Sequence, residues 1–332
     1  MIPFPFLLYL GHPKDELSVK TSRGVAVWRP DLCLGEYRSP GGTITLGLPQ
    51  LGFSEAAAAG ARTMIVGVAN AGGVISDEMV GHILAALEAG LNVASGLHQR
   101  LSSNPAIVAA AEAKGLQLFD VREPPAHLDV GNGRPRAGYR LLTVGTDCSV
   151  GKMYTTLALE RELRTRGVPA DFRATGQTGI FIAQSGVPID VVVADFISGA
   201  AESLSPQAEP GHWDVIEGQG AIFHPAYAGV TLGLLHGSQP DALVLCHDPL
   251  RTEISLFPGF PIRPLEETMA TYVSLARVTN PDAHFVGISL NTSGLSDTEA
   301  KALAASLEAQ HGLPVMDPLR FGVERVVDQA LA

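Results

Sequence analysis

Short runs of β-branched and other apolar residues alternate with alanine-rich stretches along the whole chain. In the first part, Phe6–Leu10, Thr43–Leu46, Thr63–Val68, Asn92–Ala94 and Leu116–Val121 read as strands. Between them Ser54–Ala59, opening on a serine cap, Asp77–Ala89 and Pro105–Lys114 read as helices. Strand, helix, strand with right-handed crossovers gives a parallel, doubly wound sheet. The stretch EPPAHLDVGNGRPRAG, Glu123–Gly138, breaks the alternation with proline, glycine and charge and reads as a linker. A second alternation follows, with strands expected at Arg140–Gly145, Asp171–Ala174, Asp190–Asp195, Asp214–Glu217, Ala242–Cys246, His284–Leu290 and Val315–Met316. The expectation is an α/β protein of two domains, 1–122 and 139–332, joined by 123–138.

Composition narrows the function classes. Of 332 residues, 46% are hydrophobic and 17% charged, the opposite of what long disordered tails require. The formal net charge of -11, from 34 acidic residues against 23 Lys plus Arg, argues against non-specific nucleic-acid or anionic-lipid partners. It leaves room for one local anion site. No apolar run approaches the ~20 residues a membrane-crossing helix needs. The apolar start MIPFPFLLYLG has no basic region and two early prolines, so it reads as a buried strand. Cys33, Cys148 and Cys246 are widely spaced with no CxxC pair, which speaks against a disulfide framework or zinc knuckle and for a reducing cytoplasm.

The strongest local signal is LLTVGTDCSVGKMYTTLALERELRTRG, Leu141–Gly167: an apolar strand, a small polar loop, then a helix. Thr146, Asp147, Cys148, Ser149, Val150, Gly151, Lys152 and Met153 form the candidate phosphate loop. Backbone N–H groups at a helix start lack intrahelical partners and lie at the positive end of the dipole, and Lys152 adds a point charge. The general pattern is GxxxxGK followed by Ser or Thr. Here Thr146 stands at the first glycine, and Met153 stands where the metal-ligating hydroxyl belongs. The loop is similar to the GTDTxVGKT loop of dethiobiotin synthetases. Phosphate binding is expected; ATP hydrolysis is disfavoured by Met153.

Open α/β sheets bind ligands at the carboxyl ends of their strands. Those ends supply Arg173, Gln177 and Thr178 around TGQTG, Asp195 before FISGAAE, and Glu217 in EGQGAIFHP. The last is similar to the EGAGG segment of dethiobiotin synthetases and makes Glu217 a candidate metal ligand or general base. The bland readings are a surface arginine, a helix cap or a surface charge. His212, His224, His236 and His247 fall near strand ends without metal-ligand spacing, so no zinc site is expected, and one of them is a candidate base. Asn291 ends the strand His284–Leu290 and is the adenine candidate. Cys148 is a nucleophile or a replacement for a loop threonine. In the first domain the loops Gly67–Ser76 and Ser95–Leu101 offer Arg100 and His98.

Trp28–Pro30 (WRP), GVANAGGVIS, SGLHQRL, TVGTDCSVGKM, FRATGQTGIF, DFISGAAE, DVIEGQGAIFHP and LLHGSQPDALVLCH together resemble the D-glutamate N-acetyltransferase (DgcN-like) family, long catalogued as a domain of unknown function. The likeness runs from Phe6 to about Val327. It implies a Rossmann-like N-terminal domain and a P-loop NTPase-like C-terminal domain. It further implies acetyl transfer from acetyl-CoA to the amine of D-glutamate, the product passing to a partner dehydrogenase. On that footing the loop and Asn291 hold coenzyme A, with no metal. Glu217, His224 and Asp195 are the catalytic candidates, with Glu217 or His224 as base, and Gly218–Gly220 offer oxyanion donors. Arg173 and Arg100, with Gln177 and Thr178, take the carboxylates. A homo-oligomer is expected. Two other readings stay open: an ATP/Mg-dependent ligase or kinase of the dethiobiotin synthetase type, and a non-catalytic nucleotide or CoA sensor.

Overall fold

The computed structural model describes residues 1–13, 15–68 and 71–332. The chain divides into two compact units, residues 1–123 with 177–188, and residues 124–176 with 189–332. Ala69 and Asn70, inside the loop Gly67–Ser76, lie outside the described residues.

The first unit runs β1 (Phe6–Gly11), α1 (Lys20–Trp28), β2 (Cys33–Arg38), α2 (Phe53–Ala58), β3 (Thr63–Val66), α3 (Asp77–Glu88), β4 (Asn92–Ser95), α4 (Pro105–Lys114) and β5 (Leu118–Asp120). Its strands form one parallel sheet in the order β2-β1-β3-β4-β5. Leu7, Met64, Val66, Ile83, Leu87, Val93 and Ile107 fill the core between the sheet and the helices. The boundaries of α4 follow from its sequence. Asn104 accepts the N–H groups of Ala106 and Ile107, Pro105 occupies the first turn, and Gly115 closes the helix at φ 63°.

Two expectations in this unit are corrected. Thr43–Leu46 is not a strand; the edge strand is β2, whose CLGEYR pattern hides it behind Gly35 and Glu36. Glu36 is fully buried there, and Thr45 Oγ1 and the Leu46 N–H donate to its carboxylate at 2.6 and 2.7 Å. The apolar run at 43–46 therefore reads like a strand because it covers a buried charge. Residues 177–188, expected in the C-terminal domain, belong to this unit, where α1 packs on the helix they form.

The second unit contains β6 (Tyr139–Gly145), α5 (Lys152–Thr165) and β7 (Ala170–Arg173). After the excursion that includes α6 (Gln177–Ala183), it continues with α7 (Ile197–Leu204), β8 (Trp213–Ile216), α8 (Ala228–Ser238), β9 (Ala242–His247), α9 (Leu265–Ala276), β10 (His284–Leu290), α10 (Asp297–His311), β11 (Val315–Met316) and α11 (Glu324–Leu331). All six strands are parallel, in the order β11-β10-β9-β6-β8-β7. The chain leaves β6 for β7 and β8 on one side and later returns to β9 on the other. The carboxyl end of β6 is thus the switch point where such sheets take ligands.

The expected strand at Asp190–Asp195 is two 3-10 turns, Ile189–Val191 and Ala194–Phe196. Nor is Glu123–Gly138 a loose connector. A Cβ on Gly199 of α7 would sit 1.8 Å from the Asp129 carbonyl oxygen, and Glu202 accepts the N–H groups of Asn132 and Gly133. This stretch is laid tightly on α7. Among the described residues no helix is long and apolar enough to cross a membrane.

Candidate functional site

The loop Thr146–Gly151 joins β6 to α5 at the switch point. Two of its residues take left-handed backbone, Ser149 at φ 53° and Gly151 at φ 101°, which turns successive peptide groups and opens the helix start. Lys152, the first residue of α5, is buried and folds back so that its Nζ donates to the Asp147 carbonyl oxygen at 2.8 Å. Burial pushes its pKa down, against the nearby Cys148, Cys246, Asp147 and Glu217.

Asp147 has no exposed side-chain surface. Its Oδ2 accepts from Arg251 Nη1 at 2.7 Å and from the Ser255 N–H at 2.8 Å. Arg251 Nη1 also donates to the Cys148 carbonyl oxygen at 2.6 Å, and its Nη2 donates to that of Ser149 at 3.2 Å. Arg251 thus takes two loop carbonyls, while the loop's Cys148 N–H donates to Asp147 Oδ1 at 2.6 Å. Arg251 was not a candidate from sequence, because it lies in the irregular segment after β9 and carries no motif.

Glu217 follows β8 and is 4% exposed. Its Oε2 accepts the N–H groups of Thr175 at 3.0 Å and Gly176 at 3.1 Å. Burial raises its pKa to about 7 against the pull of those amides and of the Lys152 charge. The two charged groups are near neighbours: a Cβ on Gly218 would lie 3.0 Å from Lys152 Cδ and 1.7 Å from the Thr143 carbonyl oxygen. Glycine at 218 leaves room for the Thr143 carbonyl and the Lys152 side chain. The Gly218 N–H itself donates to Thr143 Oγ1 at 3.1 Å and is spent as an oxyanion donor.

His224 is buried, with Nδ1 accepting the N–H groups of Ala226 and Tyr227 at 3.1 and 3.3 Å. Its neutral ring therefore carries the hydrogen on Nε2, which faces Asp147 Oδ1 at 3.9 Å. Burial holds its pKa below the ordinary value. In this tautomer the ring presents a donor towards Asp147, and the lone pair of Nδ1 is taken by the two backbone N–H groups. Asp147, Cys148 and His224 bring ligand-type atoms within 4.8 Å of one another. Asp147, however, already neutralises Arg251, and Lys152 stands beside the group, which makes it a poor cation site.

The remaining candidates each have their own setting. Asp195 is exposed in a 3-10 turn and not at a strand end, so the structure does not make it part of the Glu217 site. Arg173 is committed to structure: its Nε donates to Asp214 at 2.7 Å and its Nη2 to Asp171 at 3.3 Å. Asp214, 1% exposed, also accepts from Ser205 Oγ at 2.6 Å. Arg173 is a latch between β7 and β8 and not a free carboxylate clamp. In the first unit, Arg100 pairs with Glu123 at 3.1 Å and Thr178 Oγ1 donates to Thr21 Oγ1 at 3.2 Å. Gln177 fills the space left by Gly96, where a Cβ would lie 2.2 Å from Gln177 Oε1. Asn291 ends β10, with Oδ1 accepting the Ser293 N–H at 3.3 Å, and Thr146 Oγ1 meets His247 Nδ1 at 3.0 Å.

Comparison with known proteins gives a consistent family. The family described as a domain of unknown function, the DUF1611_C P-loop domain, matches residues 129–327, and the DUF1611_N Rossmann-like domain matches residues 39–124. A D-glutamate N-acetyltransferase of Tritonibacter scottomollicae is 48% identical over 332 residues, covering 100% of both chains. One from Pseudoalteromonas sp is 49% identical over 325 residues, 97% of both chains. The crystal structure of a DUF1611 family protein from Anabaena variabilis superposes with a TM-score of 0.90 at 32% identity, covering 99% of each chain. With a Rossmann-like part, a P-loop part and this identity across its length, the chain belongs to the DUF1611 family that includes the D-glutamate N-acetyltransferases.

Proposed function

We propose that this protein is an N-acetyltransferase that moves the acetyl group of acetyl-CoA to the amine of D-glutamate. The relatives' names supply the acceptor. The observation that carries the chemistry is the buried Glu217 carboxyl, held near neutrality beside Lys152. The amine of an amino acid is an ammonium ion at neutral pH and attacks only once it has lost a proton. A base with a pKa near the working pH is suited to take it. Thr175 and Gly176 fix one carboxylate oxygen of Glu217 through their N–H groups and so orient the group. The neutral amine then attacks the thioester carbonyl, coenzyme A leaves as its thiolate and is protonated, and the amide forms. Met153 weighs against phosphoryl transfer, since a thioether cannot hold the magnesium ion that a Ser or Thr hydroxyl holds.

Incubation of the full chain with acetyl-CoA and D-glutamate should yield N-acetyl-D-glutamate and one free thiol per turnover. Glu217→Gln should lower kcat by roughly 10²–10⁴-fold. Consumption of Mg-ATP without acetyl transfer would replace this reading with the ligase or kinase one.

A further inference from the structure

The length of the donor bears on what the loop Asp147–Lys152 holds. In acetyl-CoA the acyl carbon and the diphosphate are separated by the pantetheine arm, which spans about 15 Å when extended, like a chain of four or five residues. The base, by contrast, must lie within hydrogen-bond reach of the amine that attacks the acyl carbon. Glu217 is not an arm's length from the loop. Gly218, its neighbour, packs on the side chain of Lys152, and the two charges perturb each other. A loop that stands beside the base faces the reacting end of the donor, not its far end.

We propose that the phosphate loop, with Lys152, is the carboxylate pocket of the acceptor amino acid, and that the diphosphate of the donor rests elsewhere. This rests on the acetyl transfer proposed above, with Glu217 as base. A carboxylate needs clustered N–H donors and a cation. The start of α5 supplies the first, and Lys152, whose three hydrogens include one given to the Asp147 carbonyl oxygen, supplies the second. The buried Asp147 does not repel an incoming carboxylate, because Arg251 and the Ser255 N–H compensate it. Met153 fits as well. A carboxylate needs no metal to neutralise it, so the loop can do without the hydroxyl that a triphosphate site keeps. The acceptor's amine would then lie next to Glu217, with its carboxylate on the loop.

Inorganic pyrophosphate is the probe, because it fits a phosphate loop and resembles the donor's diphosphate but not its arm. In calorimetric titrations of the wild-type chain, pyrophosphate should displace D-glutamate and leave acetyl-CoA binding unchanged. In steady-state kinetics it should raise the KM for D-glutamate alone. Lys152→Gln should weaken D-glutamate binding at least about tenfold, the loss of one charge-assisted hydrogen bond, and acetyl-CoA binding by less than about twofold. Displacement of acetyl-CoA, with or without D-glutamate, or of neither ligand, overturns the assignment. The wild-type titration needs no variant and no turnover. A chain that makes no N-acetyl-D-glutamate would sink the activity itself, while the titration still reports which ligand the loop takes.

Discussion

Arg251 and Asp147 are 104 residues apart in the chain and 2.7 Å apart in the fold. Because the same guanidinium takes the carbonyls of Cys148 and Ser149, one side chain from beyond β9 braces the whole loop. Removing it strands a carboxylate that has no access to water. Arg251→Ala is therefore expected to cost on the order of 3 kcal/mol in chemical denaturation, the scale of breaking a buried pair from one side. Arg251→Lys should recover only part of this, since an ammonium cannot span the carboxylate and two carbonyls together. A midpoint unchanged in Arg251→Ala would mean the contact does not carry load.

Glu217 should write itself into two pH profiles. It acts as base only when ionised, so kcat/KM should rise with pH through about 7 and level above it. Stability should move the other way. The folded pKa of about 7 exceeds the ordinary 4.5, so the folded state holds the proton more tightly in between. The stabilisation is complete below 4.5 and is lost as pH rises through about 7. Melting temperatures at pH 5 and pH 8 should therefore differ more in the wild type than in Glu217→Gln. Equal differences would remove the shifted carboxyl from the account.

The Arg173–Asp214 latch predicts a separation of effects. Arg173→Ala should lower the melting temperature, because Asp214 is buried and loses its cationic partner. The KM for D-glutamate should stay within about twofold of the wild type. A large rise in KM with normal stability would restore Arg173 as a substrate clamp.

Two glycines provide a paired test of packing. Gly218→Ala would drive a methyl into the Thr143 carbonyl oxygen, forcing β8 and β6 apart beside the site, and should cost several kcal/mol along with activity. Gly229, in α8, has nothing within 4 Å of a built Cβ. Gly229→Ala should stabilise the chain by about 0.5–1 kcal/mol through helix propensity. Differential scanning calorimetry of the two variants separates the outcomes.

Much of this architecture was legible in the residues. Pro105–Lys114, His284–Leu290 and Val315–Met316 were bounded from sequence as the structure has them, because caps and uninterrupted apolar runs mark their ends. The loop between β6 and α5 is legible because its glycine-bounded spacing follows from backbone geometry, and Glu217 stands directly after β8 as the apolar run ahead of it predicts. What failed was non-local. Thr43–Leu46 looks like a strand only until the buried Glu36 it serves is known. Asp190–Asp195 has the composition of a strand, but its VVVA run is wound into turns. Arg173 advertised a free cation because Asp214, its partner, lies 41 residues on. Arg251 was invisible for the same reason.

The segment 177–188 has a consequence for how the protein is made. The chain passes between the units at 123/124, returns at 176/177 and leaves again at 188/189. No single cut yields either unit whole. A ribosome releasing the chain from its N-terminus would present α1 without α6, whose Ile182 carbonyl oxygen accepts from Arg29 at 3.0 Å. The first unit thus cannot finish folding until about the 188th residue has emerged, with β6, α5 and β7 already synthesised. The last element of the first unit is therefore made only after the opening strand, helix and strand of the second.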